Sequence, residues 1–160
     1  MCLVSRQRLA FGVNPTVVAV VLLVTATDAL TKIWARHALA SHSVRVLGAL
    51  WLRLRYNSGI SFSINQSGPL LTTILTIVVA VVVVVIGVRA QPGAPAVGFG
   101  LLLGGGLGNV IDRLAASPHQ VTDFIALGSF PVFNLADVAI TAGFIVLLAS
   151  VLRGERLLAR

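Results

Sequence analysis

Between Pro69 and Val88 the chain carries no charged residue at all. A helix of that length, rising 1.5 Å per residue, reaches roughly 28 to 30 Å, the thickness of a bilayer's hydrocarbon core. The valine run inside it favours strand in water. In lipid, however, an open strand leaves its backbone groups unpaired, so length and setting select helix. Three further apolar runs cover about 15–36, 96–114 and 134–152. Mean hydropathy is +0.97, and 11% of residues are charged, against about 25% in soluble domains. These features predict an α-helical integral membrane protein, a single membrane-embedded domain over 1–160 with four transmembrane helices.

The net charge of +7 does not point to nucleic acid. The arginines flank apolar runs and do not interleave with exposed aromatics, which is the placement of membrane anchors. The single Cys2 forms no internal disulfide. Arg6 and Arg8 ahead of an apolar run resemble the start of a signal peptide. That run is nonetheless long enough to span, and it holds Asp28 and Lys32; it reads as a retained first helix that opens at Pro15.

Outside the spans the pattern changes. Leu52, Leu54 and Tyr56 alternate with Arg53 and Arg55, the period of a half-buried strand. Val121 to Ile125 reads as a second short strand. A small β region is therefore expected over about 44–66 and 119–133, with a turn signature at Asn57-Ser58-Gly59.

Polar groups are few and clustered. Three of the five acidic residues, Asp112, Asp123 and Asp137, fall within 104–137. A carboxylate within a membrane helix costs roughly 2.5 to 3.5 kcal/mol on insertion scales, so each is a candidate functional group. Asp28 and Lys32 stand at i and i+4, where they can pair, either to make each other's burial tolerable or to bind substrate. Gly100, Gly104 and Gly108 recur every fourth residue and line a face that a neighbouring helix can approach closely; Asp112 continues it. Asn109, Asp112 and Arg113 group an amide, a carboxylate and a guanidinium at the end of that helix. Asn134 with Asp137 matches an N-cap and a first-turn acid, a purely structural arrangement on its own terms. His119, four residues before Asp123, has no completing His or Cys cluster, so a catalytic metal is not expected.

Four spans place both termini on one side of the membrane. Basic residues tie between the two sides, so the positive-inside rule does not orient the chain. Topology does bring Asp28, Asn57, Asp112, Asp123 and Asn134 to Asp137 to one face. Two carboxylates meeting there can share a proton, one activating a water and the other donating to a peptide carbonyl, as in aspartic proteases. The competing reading is a small ion-coupled membrane carrier with a carboxylate proton or cation site; the absence of an inverted repeat and the acids' place at one face argue against it.

Five blocks in order, Asp28 with Lys32, Asn57-Ser58-Gly59-Ile60-Ser61-Phe62-Ser63, Gly104 to Leu114, Val121-Thr122-Asp123-Phe124, and Phe133-Asn134-Leu135-Ala136-Asp137, resemble the lipoprotein signal peptidases, bacterial inner-membrane aspartyl endopeptidases. The resemblance implies cleavage before the diacylglyceryl-modified cysteine of a prolipoprotein, with no metal or cofactor. It carries the catalytic pair to Asp123 and Asp137, and substrate-binding or site-shaping roles to Asp28, Lys32, Asn57, Gly108, Asn109, Asp112, Arg113 and Asn134. It further implies cytoplasmic termini, a site at the extracytoplasmic face under a small β-cradle and a lid-like segment, and a monomer whose partners are prolipoproteins and membrane lipid. The chain departs from many members in its short Asp123 to Asp137 link and in Ser58-Gly59-Ile60-Ser61, which bears on how the site is covered.

Overall fold

A computed structural model describes residues 14–57, 89–115 and 120–159, with isolated positions between 74 and 87. Three helices in it are long and apolar enough to cross a membrane: α1 (Pro15–Ala38), α2 (Ala94–Ala115) and α3 (Leu135–Leu152). The expected span at 69–88 lies largely outside the described residues; positions 74, 77, 78, 81, 84, 85 and 87 are helical. The segment 58–73 and His119 also lie outside them.

Two of the helices begin for a plain local reason. Asn14 caps α1 by accepting from the Thr16 amide at 2.9 Å, with Pro15 in the first turn, where its missing N–H costs nothing. Asn134 and Asp137 form a full capping box on α3: Asn134 Oδ1 accepts from the Asp137 amide at 3.0 Å, and Asp137 Oδ2 accepts from the Asn134 amide at 3.1 Å.

Helix α2 packs against both others, and its glycines set how closely. A Cβ on Gly100, Gly104 or Gly108 would lie within 2.7 Å of Val20, Val24 or Asp28 of α1, one step of the helix at a time. The fourfold glycine spacing is thus matched by a fourfold ladder on α1. A second set faces α3: a Cβ on Gly98 would meet Leu147, and one on Gly105 would meet the Ala136 carbonyl. Tight approach of this kind replaces the hydrophobic drive that lipid removes. On the lipid side, Leu22, Leu23, Leu30, Phe144 and Ile145 are exposed.

The strand region is a three-stranded antiparallel sheet in the order β1 (Val44–Leu47), β2 (Leu50–Asn57), β3 (Val121–Leu127). The run 44–56 folds as a hairpin rather than one strand, because Gly48 at φ +53° permits a tight turn with Ala49. The alternation expected from Leu52 to Tyr56 holds as far as Arg55, with Leu50, Leu52 and Leu54 partly covered and Trp51, Arg53 and Arg55 exposed, and breaks at Tyr56, which is exposed as well. A register shift falls between Leu52 and Arg55.

After β3 the chain turns at Gly128, φ +55°, and comes straight back: Ile125 and Phe133 exchange backbone hydrogen bonds at 2.8 and 2.9 Å. The short link between Asp123 and Asp137 is therefore a hairpin. Its return arm delivers Asn134, the cap of α3, beside Asp123.

Candidate active site

The helix α1 presents Asp28, Lys32 and Arg36, each four residues from the next, toward α2 and α3. Lys32 is buried and contacts three oxygens: Asp28 Oδ2 at 2.7 Å, Asn109 Oδ1 at 2.8 Å and, more distantly, Asp112 Oδ2 at 3.9 Å. The other Asp28 oxygen accepts from the Ala136 amide at 2.9 Å. The pair expected from spacing thus does more than neutralise itself; it joins α1 to the ends of both other helices.

Lys32 also sets the direction of the network. An ammonium only donates, so Asn109 must turn its carbonyl oxygen to Lys32 and its NH₂ the other way. That NH₂ donates to Asp137 Oδ1 at 2.9 Å. The same argument orients Asn134: its Oδ1 accepts from a backbone amide, so its Nδ2 must face outward, and it donates to Asp123 Oδ1 at 2.7 Å. Asn57, from the end of β2, donates to Asp123 Oδ2 at 3.0 Å.

All four oxygens of Asp123 and Asp137 therefore accept hydrogen bonds, and for three of them the network dictates the donor's direction. Both Asp137 oxygens face such donors, the oriented Asn109 amide and the Asn134 backbone. Asp123 Oδ1 is locked in the same way by Asn134. Asp123 Oδ2 accepts from Asn57. Asp123 is 2% exposed and its burial pushes the carboxyl up to about 6, against the pull of the two amides and with a smaller contribution from the negative charge of Asp137. Arg113 is buried at the end of α2, in the field of Asp137, Asp123 and Asp112. A cavity of about 580 Å³ opens beside Asp123 and Asn57, walled by β2 and by Phe130 to Val132 of the return arm.

Asp112, grouped in sequence with Asn109 and Arg113, has partners from outside its own helix. Its Oδ1 pairs with Arg36 of α1 at 2.8 Å, and its Oδ2 accepts from the Thr122 amide at 2.6 Å. Consecutive residues on a helix point about 100° apart, whereas Arg36 lies straight across the glycine-lined contact. Arg36 and Thr122 were not among the expected site residues. Arg36 had a legible signal in its fourfold spacing from Lys32; Thr122 contributes a buried backbone amide to Asp112, which no side-chain pattern reveals, and its hydroxyl accepts from Arg36 at 3.3 Å.

Apolar helices long enough to cross a membrane, with buried carboxylates gathered at one end beside a small sheet, mark a membrane protein with an acid-rich candidate site. Comparison with known proteins makes the class specific. Residues 20–153 match the model of the family described as Signal peptidase (SPase) II, and the chain belongs to that family, the membrane aspartic peptidases that process prolipoproteins. It is 40% identical to a lipoprotein signal peptidase of Gloeobacter violaceus, over 89% of this chain and 84% of that one. It is also 40% identical to one of Rhodococcus jostii, over 82% and 70%. Among solved structures, two described as bacterial membrane enzymes superpose with TM-scores of 0.75 and 0.74 at 27% and 28% identity, covering 87% and 86% of this chain and 88% and 93% of theirs. Membership in a peptidase family sets the carrier reading aside.

Proposed function

We propose that this chain removes the signal peptide from diacylglyceryl-modified prolipoproteins by a water that Asp137 activates, with Asp123 serving as the acid. The observation that supports this reading is a difference between the two carboxylates: both Asp137 oxygens accept from donors that cannot turn, which suits a base, whereas burial raises the Asp123 carboxyl to about 6, which suits an acid. In the first step Asp137 takes a proton from the water as its oxygen attacks the scissile carbonyl carbon, and Asp123 gives its proton to the carbonyl oxygen. In the second, the proton held by Asp137 passes to the departing amide nitrogen, the C–N bond breaks, and a proton returns from the diol to Asp123. Lys32, Asp28, Asn109 and Asn134 position the carboxylates, Asp112 anchors β3 to the helices, and Gly108 admits Asp28.

The chain crosses the bilayer four times in this reading, the uncharged run at 69–88 supplying the remaining span, with the site at the extracytoplasmic face and the sheet covering it. Lipid selectivity follows from that arrangement. Acyl chains can stay in the bilayer against the apolar helices while the peptide enters beside Asp123, each buried CH₂ contributing about 0.8 kcal/mol. The test is to incubate purified protein with a diacylglyceryl-modified prolipoprotein and with an unmodified copy, following mass. Loss of the signal peptide from the modified substrate alone is expected; equal rates on both, or no cleavage of either, overturns the proposal.

A further inference from the structure

Two arginines on β2 have no use in this chemistry. Arg53 and Arg55 are exposed and line the same cavity as Asp123, Asn57, Tyr56 and Phe130. The register pairs Arg55 directly with Asp123 across the β2 and β3 strands. Among the described residues, Lys32 and Arg36 pair with Asp28 and Asp112, whereas neither Arg53 nor Arg55 takes part in an ion pair. Asp123 does not neutralise them either, since its oxygens are held by the two amides. In the reactive state, with Asp123 protonated, the described walls of the cavity carry two guanidinium charges and no ionised carboxylate.

We infer that Arg53 and Arg55 select substrates bearing an acidic side chain shortly after the cleaved bond. The inference rests on the peptidase reading above and adds a subsite to it. A signal peptide belongs with the apolar helices, so the chain beyond the scissile bond must leave the bilayer, and the sheet is what it meets there. An extended peptide advances about 3.3 Å per residue, and adjacent strands lie about 4.8 Å apart. From Asp123, the guanidinium of Arg55 and then that of Arg53 come within reach of residues two to four, counting the modified cysteine as one. Guanidinium groups take carboxylates in a paired, two-point geometry that a neutral side chain cannot offer.

Three lipid-modified substrates identical except for Asp, Asn or Lys at the third residue test this. At low salt kcat/KM should favour Asp over Lys about tenfold, the sum of one gained and one repelled exposed pair at each arginine, and the ratio should shrink toward one at about 0.5 M salt. In Arg53→Gln/Arg55→Gln the ratio should fall within about twofold of one, in Arg53→Lys/Arg55→Lys it should survive, and in Arg53→Glu/Arg55→Glu it should invert. A merely structural role for the arginines would slow all three substrates alike and leave the ratio intact, which overturns the inference. So does a loss equal for all three that depends on the anionic lipid content of the vesicles, which would assign the arginines to headgroups. Cleavage of all three at one rate by the unaltered protein overturns the charge preference alone, whereas cleavage of none overturns the peptidase reading beneath it.

Discussion

Lys32 Nζ stands 2.8 Å from Asn109 Oδ1, and that contact between α1 and α2 decides which way the Asn109 amide points and hence what Asp137 receives. Removing the ammonium has two effects. The buried Asp28 loses its counter-charge, at about 3 to 5 kcal/mol, and Asn109 is free to turn. Lys32→Met should therefore lower both thermal stability and turnover. Asp28→Asn/Lys32→Met should recover most of the stability, because the side-chain oxygen kept at position 28 still accepts from the Ala136 amide. Turnover should not recover with it. Melting curves and cleavage rates of the two proteins in detergent check this, and equal stability in both removes the buried pair as the cause.

Asp123→Asn and Asp137→Asn should each abolish cleavage, since an amide neither delivers nor accepts the proton. Their stabilities should move in opposite directions. At pH 8, Asp123→Asn removes an ionised carboxylate that burial opposes, and its melting temperature should rise. Asp137→Asn places an NH₂ against a donor that cannot turn, in the first turn of α3, and should cost about 1 to 3 kcal/mol. Circular dichroism melts of the two dead proteins decide it; turnover near the unaltered rate in either removes that residue from the pair.

The raised carboxyl of Asp123 fixes a pH dependence. Its value in the folded chain is about 6, above its usual 3.8, so the folded state binds more protons between those limits. Stability from this group is full below about 3.8 and is lost as pH rises through about 6, by roughly 3 kcal/mol in all. Asp123→Asn should abolish that slope. In the proposed mechanism the same proton is donated to the carbonyl oxygen, so kcat/KM should fall on the alkaline side with an apparent pKa near 6, a value belonging to the free enzyme. A flat profile from pH 5 to 8 contradicts the assignment of Asp123 as the acid.

Asp112→Asn should cost about 2 to 3 kcal/mol while leaving measurable cleavage, because Asp112 ties β3 to α1 through Arg36 and the Thr122 amide and does not touch Asp123 or Asp137. Arg36→Met should behave alike, and the double change should be less than additive. Stability and cleavage measured on the same purified samples check this; a folded but inactive Asp112→Asn would place that residue in the chemistry.

Gly108→Ala and Gly106→Ala form a matched pair. A Cβ at Gly108 would stand 2.5 Å from Asp28 Oδ2, whereas one at Gly106 meets nothing within 4 Å. The first should destabilise by about 1 to 3 kcal/mol and disturb the Asp28–Lys32 pair. The second should be neutral or stabilising by up to about 1 kcal/mol, through helix propensity. Thermal shifts in detergent distinguish them.

What the sequence alone determined is what neighbours within one element decide. Apolar length and the solvent demands of lipid are local, so the spans at Pro15, Ala94 and Leu135 were legible to within a few residues. So was the Asp28–Lys32 pair, one turn apart on one helix. Fourfold glycine spacing announced a close helix contact, and the box of Asn134 and Asp137 was visible as a cap. Only the tertiary structure decided what crosses between elements. Arg36 reaches Asp112 because the contact between α1 and α2 brings it there, which adjacency in sequence does not show. The cap of α3 is also the donor to Asp123, because the β3 return hairpin brings Asn134 back. And the direction of the Asn109 amide, which settles what Asp137 receives, follows from a lysine 77 residues away in sequence. Periodicity records which residues share a face; which atom faces which depends on the contacts that close the fold.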